Sequence, residues 1–500
     1  MNTRAALFLM VLAAALALPL PAAPAPAVAA PVEIPTAAEA VGLALRQSPQ
    51  AAIARAQLEA ALAASVNLES MLLGWRFDAV LDDTLSRSEQ LAPVLGGDPL
   101  NTFSATVAAR KALAVRGSTA LALEEARLQR EQAERDYLAR LREIGVTAYE
   151  AYRQLELALI RHRILERAVA LTRDSLEAAE EQAVLGAHTE AQVRAARLAH
   201  EEAVQRRDAS RRLLDIAWQR LARLLGLDPA GVDILDLDVI EVEEALEMIA
   251  GRHPAFWPER AVPWQESLEE LVERAKANRP EVQNARAGVA LARLGVEKVK
   301  LDRRPDIQLT AGATWPGQIR ASLTVDDEGV AQASVTGWRF DRAIPSELSA
   351  VTQAPKDEVD WSLGIRVTYN LWDSGASRAA AHRAGQLLRQ AELGLDEALH
   401  GVALDVEGRH AELVSAYEAL LMASERALLA HLELETEEAK AALGMSSRLQ
   451  VDAAAMQLWQ AVAAAVSARF DYELAVVRLA AAAAWDLETL SQIVHGLQGW

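Results

Sequence analysis

The 500-residue sequence predicts a mainly α-helical chain that also carries a membrane β-sheet. Three observations support this. The chain is written twice at one fixed offset, each half contains a heptad-patterned helix far longer than globular domains use, and each half holds two segments of about ten residues with alternating apolar and polar side chains.

At the N-terminus Arg4 precedes an apolar run from Ala5 to Leu20. The small-x-small triplet Ala27-Val28-Ala29 follows, the pattern of a secretory signal peptide over 1–29. Beyond residue 30 no run of 18 uncharged apolar residues occurs, and the nearest candidate, Leu474 to Leu487, is interrupted by Arg478 and Asp486. The chain has no cysteine, so it forms no disulfide and offers no thiol for a lipid anchor. A formal charge of −19 argues against a nucleic-acid partner. The hydrophobic content is 51%, dominated by alanine, with only 5% aromatics, a composition suited to close helix-on-helix packing.

The repeat sets the organisation. Gly117 and Gly375 stand 258 residues apart (375 − 117), and the same offset superposes Leu185-Gly186 on Leu443-Gly444, Gln192-Val193 on Gln450-Val451, Leu221 on Leu479 and Asp228 on Asp486. Each half reads as a helix, two strands, a very long helix, a tight break and a returning helix. The predicted spans are 36–72, 75–87, 103–114, 118–184 and 188–226 in the first half, and 266–302, 306–315, 361–372, 376–442 and 446–485 in the second. The domain division is then a first repeat at 30–228, a linker at 229–264, a second repeat at 265–486 and a tail at 487–500. The linker carries Pro229, Gly231, Gly251, Pro254, Pro258 and Pro263, with room for one short helix.

The long helices show one apolar seam each. Leu141, Ala148, Leu155, His162, Val169, Leu176 and Ala183 recur every seventh residue, and the offset converts them to Leu399, Val406, Leu413, Leu420, Ala427, Leu434 and Ala441. Many seam positions are alanine, which lets backbones of antiparallel helices approach closely. A helix of about 67 residues is roughly 100 Å long.

The strands alternate. Leu363, Ile365, Val367, Tyr369 and Leu371 lie on one face against Ser362, Gly364, Arg366, Thr368 and Asn370 on the other. Ile307 to Trp315, Phe103 to Leu113 and Phe77 to Leu85 repeat the pattern. The helices bury their seams in each other, so lipid is the partner left for the apolar strand face. Trp75, Trp315, Trp361 and Trp372 stand at strand ends, where interfacial aromatics belong. Four strands cannot close a barrel, and open edges are not tolerated in hydrocarbon, so copies of the chain must complete it. Two copies give eight strands, a filled barrel, and three give twelve, which leaves a lumen. A homotrimer is expected. Segment 316–360 is longer than its counterpart 88–102 and is read as an extracellular cap.

No Walker loop, G-x-S-x-G elbow or H-E-x-x-H segment occurs, and the nine histidines form no ligand-like pair, so no catalytic, cofactor-binding or metal-binding residue is assigned. His162, whose repeat mate is Leu420, is read as a packed histidine. The run Glu433, Glu435, Glu437 and Glu438 is read as a solvated helix face.

The strand exit Tyr369-Asn370-Leu371-Trp372-Asp373-Ser374-Gly375, its copy Leu113-Ala114-Val115-Arg116-Gly117-Ser118, the breaks Leu185-Gly186 and Leu443-Gly444, and the segment Leu449-Gln450-Val451-Asp452-Ala453 resemble the TolC-like outer-membrane efflux proteins across the mature chain. The resemblance implies a trimer with a twelve-stranded barrel on a twelve-helix periplasmic tunnel, and a localisation in the outer membrane with most of the mass in the periplasm. It also implies passive exit of substrates delivered by an inner-membrane transporter and a periplasmic adaptor (membrane fusion protein). A type I protein-secretion duct is an alternative use of the same tunnel, and a periplasmic coiled-coil scaffold is the alternative outside the channel class. Many relatives carry a lipidated cysteine, absent here. Some place an aspartate six residues after the break glycine, where this sequence has Gln192 and Gln450. The expected periplasmic tip turns are Leu185, Gly186, Leu443 and Gly444, the candidate constriction is Glu190, Gln192, Gln450 and Asp452, and Gly117 and Gly375 mark the barrel–tunnel transition.

Overall fold

The computed structural model describes residues 36–86, 100–185, 189–229, 234–237, 239–315, 319–340 and 359–485; the expected signal peptide, Gly186 and the tail lie outside them. The first repeat runs α1 (Ala37–Gln47), α2 (Pro49–Leu73), β1 (Arg76–Ser86), β2 (Leu100–Ala112), α3 (Gly117–Val184) and α4 (Glu190–Leu225). A 3-10 turn (Ile234–Asp236) and α5 (Val242–Ala250) follow. The second repeat then runs α6 (Leu268–Asn278), α7 (Pro280–Leu301), β3 (Asp306–Trp315), β4 (Ile319–Asp326), β5 (Val330–Phe340), β6 (Asp360–Thr368), α8 (Ala376–Ala442) and α9 (Arg448–Ala482).

Two single helices expected at 36–72 and 266–302 are each broken by a proline. Ser48 and Arg279 precede Pro49 and Pro280 and are extended, with ψ 142° and 137°, because the proline ring disfavours helical geometry in the residue before it. Ser48 then caps α2 by accepting from the Ala51 amide at 3.0 Å.

These breaks have an architectural use. α4 ends at Gly226, in the left-handed region at φ +72°, and a Cβ there would lie 2.8 Å from the Gln47 carbonyl oxygen. Only glycine lets the end of α4 come this close to the start of α2. The second repeat matches it: Ala481 and Ala484, at the end of α9, line one crevice with Arg279, Pro280 and Glu281 at the start of α7. Each repeat therefore supplies two helical columns, a long unbroken helix of 68 or 67 residues and a stacked pair beside it.

The predicted seam is fully buried midway along the columns. Ala148, Leu155, His162, Val406, Leu413, Leu420 and Ala427 are all buried, and the seam becomes half-buried toward the hairpin ends. The core continues into the linker, where Phe256 is fully buried and its carbonyl accepts from the Ser424 hydroxyl at 3.3 Å. Arg163 and Arg167 of α3 pair with Glu241 and Glu243. A buried polar cluster joins the repeats: Glu473 of α9 accepts from the Tyr149 hydroxyl (3.0 Å) and pairs with Arg153 of α3 (2.8 Å) and Arg469 (2.9 Å), while Glu156 takes the other side of Arg153 (2.7 Å). Burial and then the neighbouring Glu473 charge push the Tyr149 phenol well above its ordinary range, so it stays a neutral donor.

His162 is packed as expected. Its Nε2 lies 3.4 Å from Glu166, its Nδ1 has no hydrogen-bond partner among the described residues, and Arg207, Arg211 and Asp215 face it from α4. Burial lowers its pKa below the ordinary 6.5. The unfolded chain therefore binds a proton that the folded one resists, and stability is lost as pH falls below about 6.5. His162→Leu, the residue of the other repeat, should weaken this loss. Denaturation midpoints at pH 5 and pH 8 should differ less in the variant than in the parent, and an unchanged difference would assign the pH sensitivity to other groups.

Candidate channel wall, transition and hairpin tips

Among the described residues, six strands form one antiparallel sheet in the order β1-β2-β5-β4-β3-β6. All four strands expected from the sequence are present, and the segment 316–360, read as a cap, contributes β4 and β5. The hairpin has its own cause. Ile319, Ala321, Leu323 and Val325 alternate with Arg320, Ser322, Thr324 and Asp326, and the turn closes with the Asp326 carboxylate accepting from the Val330 amide at 2.7 Å and Gly329 at φ +85°.

Register makes the two faces continuous across all six strands. One row across the sheet is Ala79, Val107, Val335, Ala321, Ala313 and Trp361, and a second is Leu81, Ala105, Gly337 and Ile319. This face is open: Leu81 is 72% and Leu363 77% exposed. The opposite face is polar. The Thr106 and Thr336 hydroxyls bond at 2.9 Å, those of Ser322 and Ser334 at 2.7 Å, and Arg320 donates to Thr314 at 3.4 Å. Trp75 and Trp372 stand at the helix-side end of the sheet, Trp315 and Trp361 at the far end, and all four are exposed. β1 and β6 are the outer strands, and among the described residues neither has a partner on its outer edge.

The two glycines expected at the transition, Gly117 at φ +56° and Gly375 at φ +89°, both adopt left-handed backbone. Their helix starts are capped differently. Asp373 accepts from the amides of Gly375 (3.0 Å) and Ser377 (2.7 Å) at the start of α8. The repeat mate of Asp373 is Val115, which cannot cap; instead Glu328, in the β4–β5 turn, accepts from the Ser118 amide at 2.8 Å and from its hydroxyl.

At the tips, α8 ends at Ala442 with Leu443 as its C-cap and Gly444 at φ +72°, the Met445 amide donating to the Lys440 carbonyl at 2.8 Å and the Gly444 amide to the Ala441 carbonyl at 2.9 Å. Leu185 caps α3, its amide donating to Glu181 at 3.2 Å; its neighbour Gly186 falls outside the described residues. Gln192 and Gln450 occupy capping boxes: their carboxamide oxygens accept from the amides of Thr189 (2.7 Å) and Ser447 (2.8 Å). Glu190 is exposed and pairs with Arg194 at 2.6 Å. Asp452 accepts from the Ser175 hydroxyl of α3 at 2.6 Å, which sets the second tip beside the first. Sequence reasoning missed Ser175, since nothing local marks a partner 277 residues away. The S/T-x-x-Q boxes were visible in the sequence, and they give both glutamines a partner in their own turn. Val184, Leu185, Leu443, Met445 and Leu449 leave the tips apolar and exposed.

No protein-family model and no curated protein matches the sequence. In structure the chain is similar to the Campylobacter jejuni CmeC outer membrane channel, at 15% identity and TM-score 0.65 over 91% of this chain and 89% of that one. It is also similar to the open-state Neisseria gonorrhoeae MtrE outer membrane channel (16%, 0.62, 90% and 89%) and to the outer membrane protein VceC of Vibrio cholerae (14%, 0.62, 89% and 95%). Across nearly its whole length the chain thus has the TolC-like fold, a sheet carried on long paired helices.

The Ser175–Asp452 bond predicts coupling between the tips. In a double-mutant cycle on thermal unfolding, Ser175→Ala and Asp452→Ala should interact by about 1 kcal/mol, because either change removes the same charge-assisted hydrogen bond. Strict additivity would show that the two tips are held by other contacts.

Proposed function

We propose that the chain is an exit-channel subunit in the outer membrane, working as a homotrimer and as the passive conduit of a tripartite efflux or secretion system. The observation that supports this most is the sheet face: an exposed apolar surface, continuous over six strands, on the end of helices about 100 Å long. Lipid is the partner that such a face and its terminal tryptophans suit, and most of the mass then lies in the periplasm. The polar face becomes the lumen. Similarity of fold to the CmeC and MtrE outer membrane channels supports the same reading.

The tips, farthest from the sheet, are the entrance. Their exposed apolar residues, Leu185, Leu443, Met445 and Leu449 among them, are the surface for a periplasmic adaptor, which hands over substrate from an inner-membrane transporter. Glu190 and Asp452 supply the negative charge near the constriction, with Gln192 and Gln450 holding the turns that present them.

Two adjacent substitutions test the wall. Val367→Arg places a charge on the lipid face, costing about 2–4 kcal/mol near the midplane, and should abolish membrane assembly. Arg366→Glu alters only the lumen, so assembly should persist while ion selectivity in planar bilayers shifts toward cations. Equal assembly defects, or a purified protein that forms no conducting steps, would contradict the channel.

A further inference from the structure

Three features of the β4–β5 hairpin have no role in a barrel built from the four repeated strands. It lies between β2 and β3, where a four-strand arrangement would pair those two directly. Its alternation matches theirs, so Val335 and Ala321 continue the apolar row from Val107 to Ala313, while Thr336 and Arg320 continue the polar row from Thr106 to Thr314. Its turn is tied to the helical end of the sheet, for Gly329 accepts from the Leu113 amide at 2.8 Å and Glu328 caps α3. That last contact fills a gap in the repeat, because the capping aspartate of the second half is a valine in the first.

Geometry agrees. Four helical columns packed about 9.5 Å apart span about 38 Å of circumference. Six strands spaced about 4.8 Å and tilted about 40° span nearly the same arc. A hairpin adds strands in pairs, so β2 and β3 keep opposite directions and β6 remains antiparallel to β1 of a neighbouring copy.

We infer that the β4–β5 hairpin is a permanent part of the channel wall, giving six strands per copy and an eighteen-stranded barrel in the trimer. The inference rests on the channel reading above. Arg320, Ser322, Thr324, Gln332, Ser334 and Thr336 then face the lumen, and the outer-membrane section admits solutes as wide as the helical tunnel delivers. The outer bore is no longer the narrow point, and selection falls to the tips.

The cysteine-free chain permits a clean test by paired cysteines in native membranes. Thr106→Cys with Thr336→Cys should form a disulfide on mild oxidation. Thr106→Cys with Thr310→Cys or with Thr314→Cys should not, since three strand spacings, about 14 Å, separate β2 from β3. Ser322→Cys with Ser334→Cys, inside the hairpin, should also close and shows that the hairpin is folded. A bond from Thr106→Cys to Thr310→Cys or Thr314→Cys in a protein that still needs detergent for extraction would overturn the six-strand wall and leave the channel standing. Release of the parent protein by high salt alone would overturn the channel, and the wall with it.

Discussion

The outer edges of β1 and β6 carry backbone N–H and C=O groups that meet no strand within one chain, on a sheet whose exposed face suits lipid. In hydrocarbon each such group costs several kcal/mol when unpaired. Association of copies is therefore the condition under which this fold exists in a membrane. The sheet meets that condition with an even number of strands among the described residues, so that copies can join antiparallel, and with its polar residues on the face opposite the apolar one.

The helical part answers a different problem, that of holding very long helices straight and close with few large side chains. Alanine seams allow the approach, and the stacked columns divide the length at Pro49 and Pro280 without opening the wall. The linker and the Tyr149–Arg153–Glu473 cluster fix the two repeats to each other midway. Below that level the seam is only half-buried and the tips touch through Ser175 and Asp452, so the arrangement is firm at its middle and lightly held at its tips.

Much of this was legible in the sequence because helices and strands leave different periods. The seam from Leu141 to Ala183, the 258-residue offset and the alternation in β6 located the long hairpins and four strands to within a few residues. The breaks before Pro49 and Pro280 carried their own signal, which two long apolar patterns outweighed. The β4–β5 hairpin was hidden by comparison with the shorter segment 88–102: measured against the repeat, 316–360 looked like surplus loop, although Ile319 to Val325 alternates as plainly as Ile307 to Trp315. At the tips, Gln192 and Gln450 were selected by position after the glycines, and their capping boxes were legible. The Ser175–Asp452 bond and the Glu328 cap were not, since each depends on which helix lies beside which.

Amide hydrogen exchange of the protein in lipid vesicles measures edge pairing directly. If copies close the barrel, peptides from Arg76–Ser86 and Asp360–Thr368 should be protected as strongly as those from Leu100–Ala112, which has neighbours on both sides. Rapid exchange at alternate residues of β1 and β6, with β2 protected, would mean that the edges stay open and would contradict the account.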